Sequence, residues 1–133
     1  MDIYEVLKKD HRKIEELLEM LVSTHEGDSA PTALINKIRD ELIPHSRAEE
    51  SVLYNSIRSV NTAHDLVWHG YAEHMEAEGF LRALQIEEKV DASWKKTAMK
   101  LKKSLQHHIE EEEDEIFAAA QQLFTKEESV VMA

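Results

Sequence analysis

The chain has 133 residues, no cysteine and a formal net charge of −11. Lack of cysteine excludes disulfides, thiolate metal sites and cysteine nucleophiles, and the acidic balance disfavours nucleic acid and anionic membrane surfaces as partners. The length fits one domain over 1–133, large enough to bury a core. With no long apolar run and no apolar signal core at the N-terminus, no membrane span and a cytoplasmic location are expected.

Three glycines and two prolines leave little punctuation, and apolar residues recur at steps of three and four, so the chain reads as all-α. The first helix opens at Asp2, an N-cap with Glu5 three residues on, and carries the stripe Ile3, Leu7, His11, Ile14, Leu18, Leu21. "STHEGDSAPT" breaks the period as a loop. The second helix covers about Pro31 to Ser59, with Leu34, Ile38, Leu42, His45, Glu49 and Val52 on one face. Pro44 lies inside it and is expected to kink it. The third runs from about Thr62 to Lys89 with Val67, Gly70, His74, Ala77, Leu81 and Leu84. The fourth opens at Asp91 or Ser93 and ends near Phe124, with Leu101, Leu105, His108, Glu112 and Ile116. The helical core then spans about 2–124, and the tail "TKEESVVMA" adds at most a short turn. Four amphipathic helices with short connections predict an up-down-up-down antiparallel four-helix bundle.

Every one of the four stripes contains a histidine: His11, His45, His74 and His108. Two of them also contain a glutamate one turn later, Glu49 and Glu112, on the same face. Burying a carboxylate is costly unless it is paired or bound to a metal. The spacings repeat without a gap. His74 follows His11 by 63 residues, and the same 63 separates His108 from His45, Glu112 from Glu49 and Glu113 from Glu50. Leu18 and Leu81, Leu21 and Leu84, Leu42 and Leu105, and Tyr54 and Phe117 obey it too, as do the dipeptides Asp10-His11 and Glu73-His74. Two pseudo-symmetric helical hairpins are therefore expected to share one centre.

Four imidazoles and two carboxylates form a mixed nitrogen and oxygen set. It suits iron, manganese or zinc better than magnesium or calcium. Six ligands exceed one tetrahedral zinc and fit two metals. Each metal would take two histidines from its own half, and Glu49 and Glu112 would bridge both. Octahedral ions would keep positions for a bridging oxide or hydroxide and a small exogenous molecule.

The segments "DHRKIEELL", "IPHSRAEESVLY", "AEHMEAEGFLRAL" and "HIEEEEDEIF" resemble the hemerythrin family, or HHE cation-binding domain, over about Tyr4 to Phe124. The two H-x-x-x-E-E segments are the specific part. The resemblance implies a bundle around a non-haem di-iron centre that binds dioxygen or a related small molecule, nitric oxide or peroxide. Carried over by position, one iron would take His11 and His45, the other His74 and His108, bridged by Glu49 and Glu112. Iron handling, repair of iron centres and a peroxide-consuming or oxidase-like activity are the alternative expectations. One departure stands out. Oxygen carriers of the family place a second histidine four before the one on the third helix, and here that position is Gly70. The gap is expected to hold a small molecule, or His69 or Tyr71 leans toward it.

The remaining candidates read as structural. Glu50, Glu110, Glu111, Glu113, Asp114 and Glu115 are expected at the surface or behind the ligands. His25, His64 and His107 are expected to be peripheral, and His69 is open between core filler and auxiliary ligand. Tyr4, Tyr54, Tyr71 and Phe117 are expected to pack, Trp68 and Trp94 to sit at helix contacts, and Met75 and Met99 to need no cofactor.

Overall fold

The computed structural model describes residues 1–57 and 64–133, so the expected second-helix end at Ser59 and third-helix start at Thr62 lie outside the described residues. Helix α1 (Ile3–Val22) begins where the Asp2 side chain accepts the Glu5 N–H at 2.9 Å. Helix α2 (Thr32–Ala48) follows Pro31 and runs through Pro44. It passes directly into a π-helical stretch, Glu49–Tyr54, and a last turn, α3 (Asn55–Ile57). Helix α4 spans His64–Gln85. Asp91 caps α5 (Ala92–Glu111) by accepting the Trp94 N–H at 2.7 Å. A second π-helical stretch, Glu112–Ile116, joins α5 to α6 (Phe117–Leu123).

The four long helices form a closed ring in which α1 packs on α2 and α5, and α4 packs on the same two. The architecture is the expected four-helix bundle. The loops of the two hairpins meet at one end: Gly27 N–H donates to the Val90 carbonyl at 2.7 Å, and Val90 N–H to that of Asp28 at 2.9 Å. Gly27 and Val90 are themselves 63 residues apart. Gly27 holds φ +90°, a turn conformation open to glycine without strain.

Two apolar clusters fill the bundle, one above the other. The first joins Ile14, Leu18, Leu42, Leu81, Trp94 and Leu101 with their neighbours. The second joins Ile3, Leu7, Leu53, Tyr54, Val67 and Phe117. Between them lies the layer of histidines and glutamates, all of them buried.

Several expectations need correction. Leu34 and Val52 are only half-buried, while Ile35 and Leu53 take the core positions. Past Glu49 the cause is the π turn, which carries an extra residue and rotates the inward face. The C-terminal tail is a full helix, α7 (Lys126–Met132), packed on α1. Phe124 ends α6 in an extended conformation, and Thr125 and Glu128 then cap α7 reciprocally. Trp68, expected at a helix contact, is exposed at the surface beside His64 and Tyr71, whereas Trp94 is buried in the first apolar cluster. No helix of the described residues is long and apolar enough to cross a membrane.

The cap of α5 supplies a simple check. Asp91→Ala leaves the Trp94 N–H without its acceptor and should lower stability by about 1 kcal/mol, read as a shift in the denaturant midpoint at unchanged slope.

Candidate metal centre

The structure brings all six expected side chains into one layer. His11 projects from α1, His45 from α2, His74 from α4 and His108 from α5, while Glu49 and Glu112 are the first residues of the two π-helical stretches. In each π stretch a backbone N–H reaches five residues back: Asn55 to Glu50, and Phe117 to Glu112. The 63-residue repeat thus extends to the backbone irregularity that starts at each buried glutamate. Two sets of four ligand atoms form, His11, His45, Glu49 and Glu112, and Glu49, His74, His108 and Glu112, each within 4.8 Å of one another. The two glutamates belong to both.

The imidazoles all present Nε2 inward. His11 Nε2 lies 3.0 Å from Glu112 Oε1 and 3.4 Å from Glu49 Oε2. His45 Nε2 is 3.3 Å from Glu49 Oε2, His74 Nε2 is 3.1 Å from Glu49 Oε1, and His108 Nε2 is 3.1 Å from Glu112 Oε2.

Each Nδ1 is held from behind by a carboxylate. His11 meets Glu113 at 2.7 Å, His74 meets Glu50 at 2.7 Å, His45 meets Asp10 at 3.1 Å and His108 meets Glu73 at 2.9 Å. A carboxylate accepts, so each Nδ1 carries the proton and donates it, and each Nε2 lone pair is left facing the centre. The four carboxylates obey the same 63-residue offset, Asp10 with Glu73 and Glu50 with Glu113. Glu50 and Glu113 cross between the halves, so each hairpin orients a histidine of the other. Arginines back these two: Arg47 Nη1 donates to Glu50 at 2.6 and 2.8 Å, and Arg12 donates to Glu113.

With the Nδ1 protons fixed outward, the inner surface is a shell of acceptors at 3.0–3.4 Å. His74 Nε2 and His108 Nε2 approach to 3.0 Å. Both oxygens of Glu49, Oε1 of Glu112 and Nε2 of His11 are buried without an aligned hydrogen-bond partner. Converging buried lone pairs call for a cation. The same contacts set the proton equilibria. Burial alone would raise the Glu49 carboxyl, but contact with His11, His45 and His74 holds it well below the usual range. Burial would lower His11, His45 and His74, but Glu49 and the outer carboxylates raise all three; His108 stays low because burial outweighs Glu73. The donor set fits two divalent or trivalent transition ions, one per set of four, with Glu49 and Glu112 common to both.

Tyr54 was expected only to pack, yet its hydroxyl enters the layer. It donates to Glu112 Oε2 at 2.5 Å and lies 3.4 Å from His108 Nε2. Burial, then the nearby Glu49 and Glu73, push its phenol well above the usual value, so it holds its proton. Gly70 makes the room: a Cβ there would come within 2.8 Å of the Tyr54 hydroxyl. The space left by Gly70 is therefore occupied by Tyr54, not by His69 or Tyr71. His69 is exposed, and the Tyr71 hydroxyl donates to Asn55 Oδ1 at 3.0 Å. The pseudo-symmetric positions are Leu7 and Phe117. Phe117 stacks near His11 with ring centroids 6.2 Å apart, as Tyr54 stacks on His74 at 5.5 Å. One side of the centre thus ends in a hydroxyl and the other in hydrocarbon.

Asp10 and Glu73, marked in the sequence only by their repeat spacing, orient His45 and His108. Glu50 and Glu113 lie behind the histidines, one of the two placements expected for them. Gly70→Ala should force the Tyr54 ring to move and cost about 1–3 kcal/mol through overpacking. Thermal melting and the tyrosine ultraviolet spectrum would register both effects, and an unchanged pair of readouts would contradict this packing.

Comparison with known proteins shows the family and the fold. A protein named DNA nickase from Nostoc sp. is 26% identical over 129 residues, 97% of this chain but only 36% of that protein. The chain thus spans about a third of the length of this curated relative. A crystal structure of a hemerythrin HHE cation-binding domain-containing protein from Mycobacterium kansasii superposes with a TM-score of 0.83 over 99% of this chain and 80% of that one, at 24% identity. It shows the shared fold. The model of the hemerythrin HHE cation binding domain matches residues 2–120, and the chain belongs to that family.

Proposed function

We propose that the chain is a non-haem di-iron protein that binds or responds to dioxygen or a related small oxidant. His11 and His45 would hold one iron, His74 and His108 the other, and Glu49 and Glu112 would be shared between them. The observation that carries this reading is the closed shell of inward lone pairs, four Nε2 atoms and two carboxylates, with every Nδ1 proton committed outward. Two bound irons would supply reversible one-electron chemistry and positions for an exogenous ligand.

The chain's own residues set the conditions for that chemistry. Asp10, Glu50, Glu73 and Glu113 fix the imidazole tautomers and raise their basicity toward a metal. The two apolar clusters exclude bulk water above and below the layer. A small cavity of about 10 Å³ lies between His11, His45, Glu49, His74 and His108 and the apolar side chains of Ile14, Leu42, Leu105 and Ile109, so the layer itself encloses room for small species only. Tyr54 holds a proton within reach of Glu112 and His108, on the side of His74 and His108.

That hydroxyl favours one second reading, a peroxide-consuming enzyme. Reduction of peroxide to two waters takes two protons at the reacting oxygens and two electrons, which a pair of ferrous ions would supply, and reversible carriage consumes neither. The nickase name of the Nostoc relative is not extended to this chain. The alignment covers about a third of that protein, and a net charge of −11 opposes a polyphosphate partner.

The test is an optical spectrum of the anaerobically reduced protein before and after air or peroxide. A new near-ultraviolet and visible band supports the reading, and no spectral change with either oxidant contradicts it. Tyr54→Phe should leave the band with air and slow peroxide consumption if the second reading holds. The ligand assignment has its own check. Glu49→Ala should lose most of the bound metal, whereas Asp114→Ala, at an exposed position, should retain it; equal loss in both variants defeats the assignment.

A further inference from the structure

A second constellation of metal-binding groups lies outside the buried layer, on the face shared by α4 and α5. His69 and Glu73 are one turn apart on α4, and His107 and Glu111 are one turn apart on α5. The helices run antiparallel, so each histidine faces the other helix's glutamate. His69 Nε2 is 3.5 Å from Glu73 Oε2 and 3.4 Å from Glu111 Oε2. His107 Nε2 is 3.6 Å from Glu73 Oε2 and 3.2 Å from Glu111 Oε2. All four atoms lie within 4.8 Å of one another. A tetrahedral ion with bonds of about 2.1 Å sets its ligand atoms about 3.4 Å apart, which matches the four nitrogen–oxygen edges.

We propose that His69, Glu73, His107 and Glu111 form a surface site for a divalent first-row transition ion, of which zinc is the simplest probe. The carboxylates form its floor, with 13% and 16% of their side chains exposed, and the imidazoles its rim, at 53% and 67%. An ion therefore reaches the site from solvent. Beside it, Glu110, Asp114 and Glu115 line an acidic depression with His107 and Glu111 that draws cations to the rim.

The internal repeat separates this cluster from the needs of the buried centre. The positions 63 residues earlier are Val6, Asp10, Pro44 and Ala48. Asp10 alone suffices to hold His45, as Glu73 holds His108. Nothing in that role requires His69, His107 or Glu111, and the other half of the chain does without them. Ordinary ion pairing is a weak reason for the cluster, because exposed pairs contribute little. Glu73 faces both ways: Oε1 accepts from His108 Nδ1 at 2.9 Å, and Oε2 belongs to the surface set. An ion here would sit one carboxylate away from a histidine of the buried layer.

The experiment is a zinc titration by calorimetry on the protein as purified, after its tightly held metal has been counted. The expected result is one further zinc per chain. His69→Ala and His107→Ala should each weaken it at least about tenfold, the low end of what loss of even a supporting contact does at metal sites. The tightly held metal should be unchanged in both, and zinc binding should be unchanged in His64→Ala, an exposed histidine outside the cluster. Absence of a further zinc overturns the proposal, as does binding that survives the double variant His69→Ala, His107→Ala. The count of tightly held metal is independent of this titration, so failure of the di-iron reading and failure of the surface site remain separate results.

Discussion

Two carboxylates with almost no solvent exposure, Glu49 and Glu112, sit at the middle of a small helical core. Most of the structure answers that burden. Four imidazoles surround the pair, four further carboxylates orient the imidazoles, and two arginines orient two of those carboxylates. Each layer lies nearer to solvent than the last, so charge passes outward in steps instead of ending in hydrocarbon. The apolar clusters on either side carry the packing that keeps the polar layer together. A half-satisfied polar layer in that place would be worse than an apolar one, and beyond the Glu112 oxygen that Tyr54 serves, the inward lone pairs call for positive charge.

The backbone takes part in the same arrangement. Both glutamates open π-helical stretches, and π turns inside α-helices are frequent at functional sites. The wider turn lets the helix keep its apolar phase toward the second cluster while the glutamate aims at the layer. Near-twofold order then makes two similar half-sites from one repeated hairpin. Its breach is local and chemical: Tyr54 and Gly70 stand where Phe117 and Leu7 stand in the other half. The exchange leaves volume roughly balanced, a large ring beside glycine against a ring beside leucine, and adds one hydroxyl to the His74 and His108 side.

Much of this was legible in the residues. The stripes of α1 and α4, and that of α5 as far as His108, lie inward as read, because their period is uninterrupted. The inward placement of all six side chains followed from the heptad-like spacing and the 63-residue repeat. Three things were not legible. The π turns shifted the face from Val52 to Leu53, and periodicity arguments assume regular helix. Tyr54 reached the centre because of an empty volume at Gly70 on another helix, a tertiary fact that no local spacing encodes. The surface cluster required knowing that α4 and α5 are neighbours in register; His69 and His107 were visible only as single histidines. The helix α7 was within reach, since Thr125 and Glu128 have capping-box spacing.

The central claim is that the buried layer is a two-iron centre. Elemental analysis of the purified protein, normalised to chain concentration, tests it most directly. The account predicts about two irons per chain, held through gel filtration with a weak chelator present. A single zinc, or protein that is folded and free of transition metal, would contradict it.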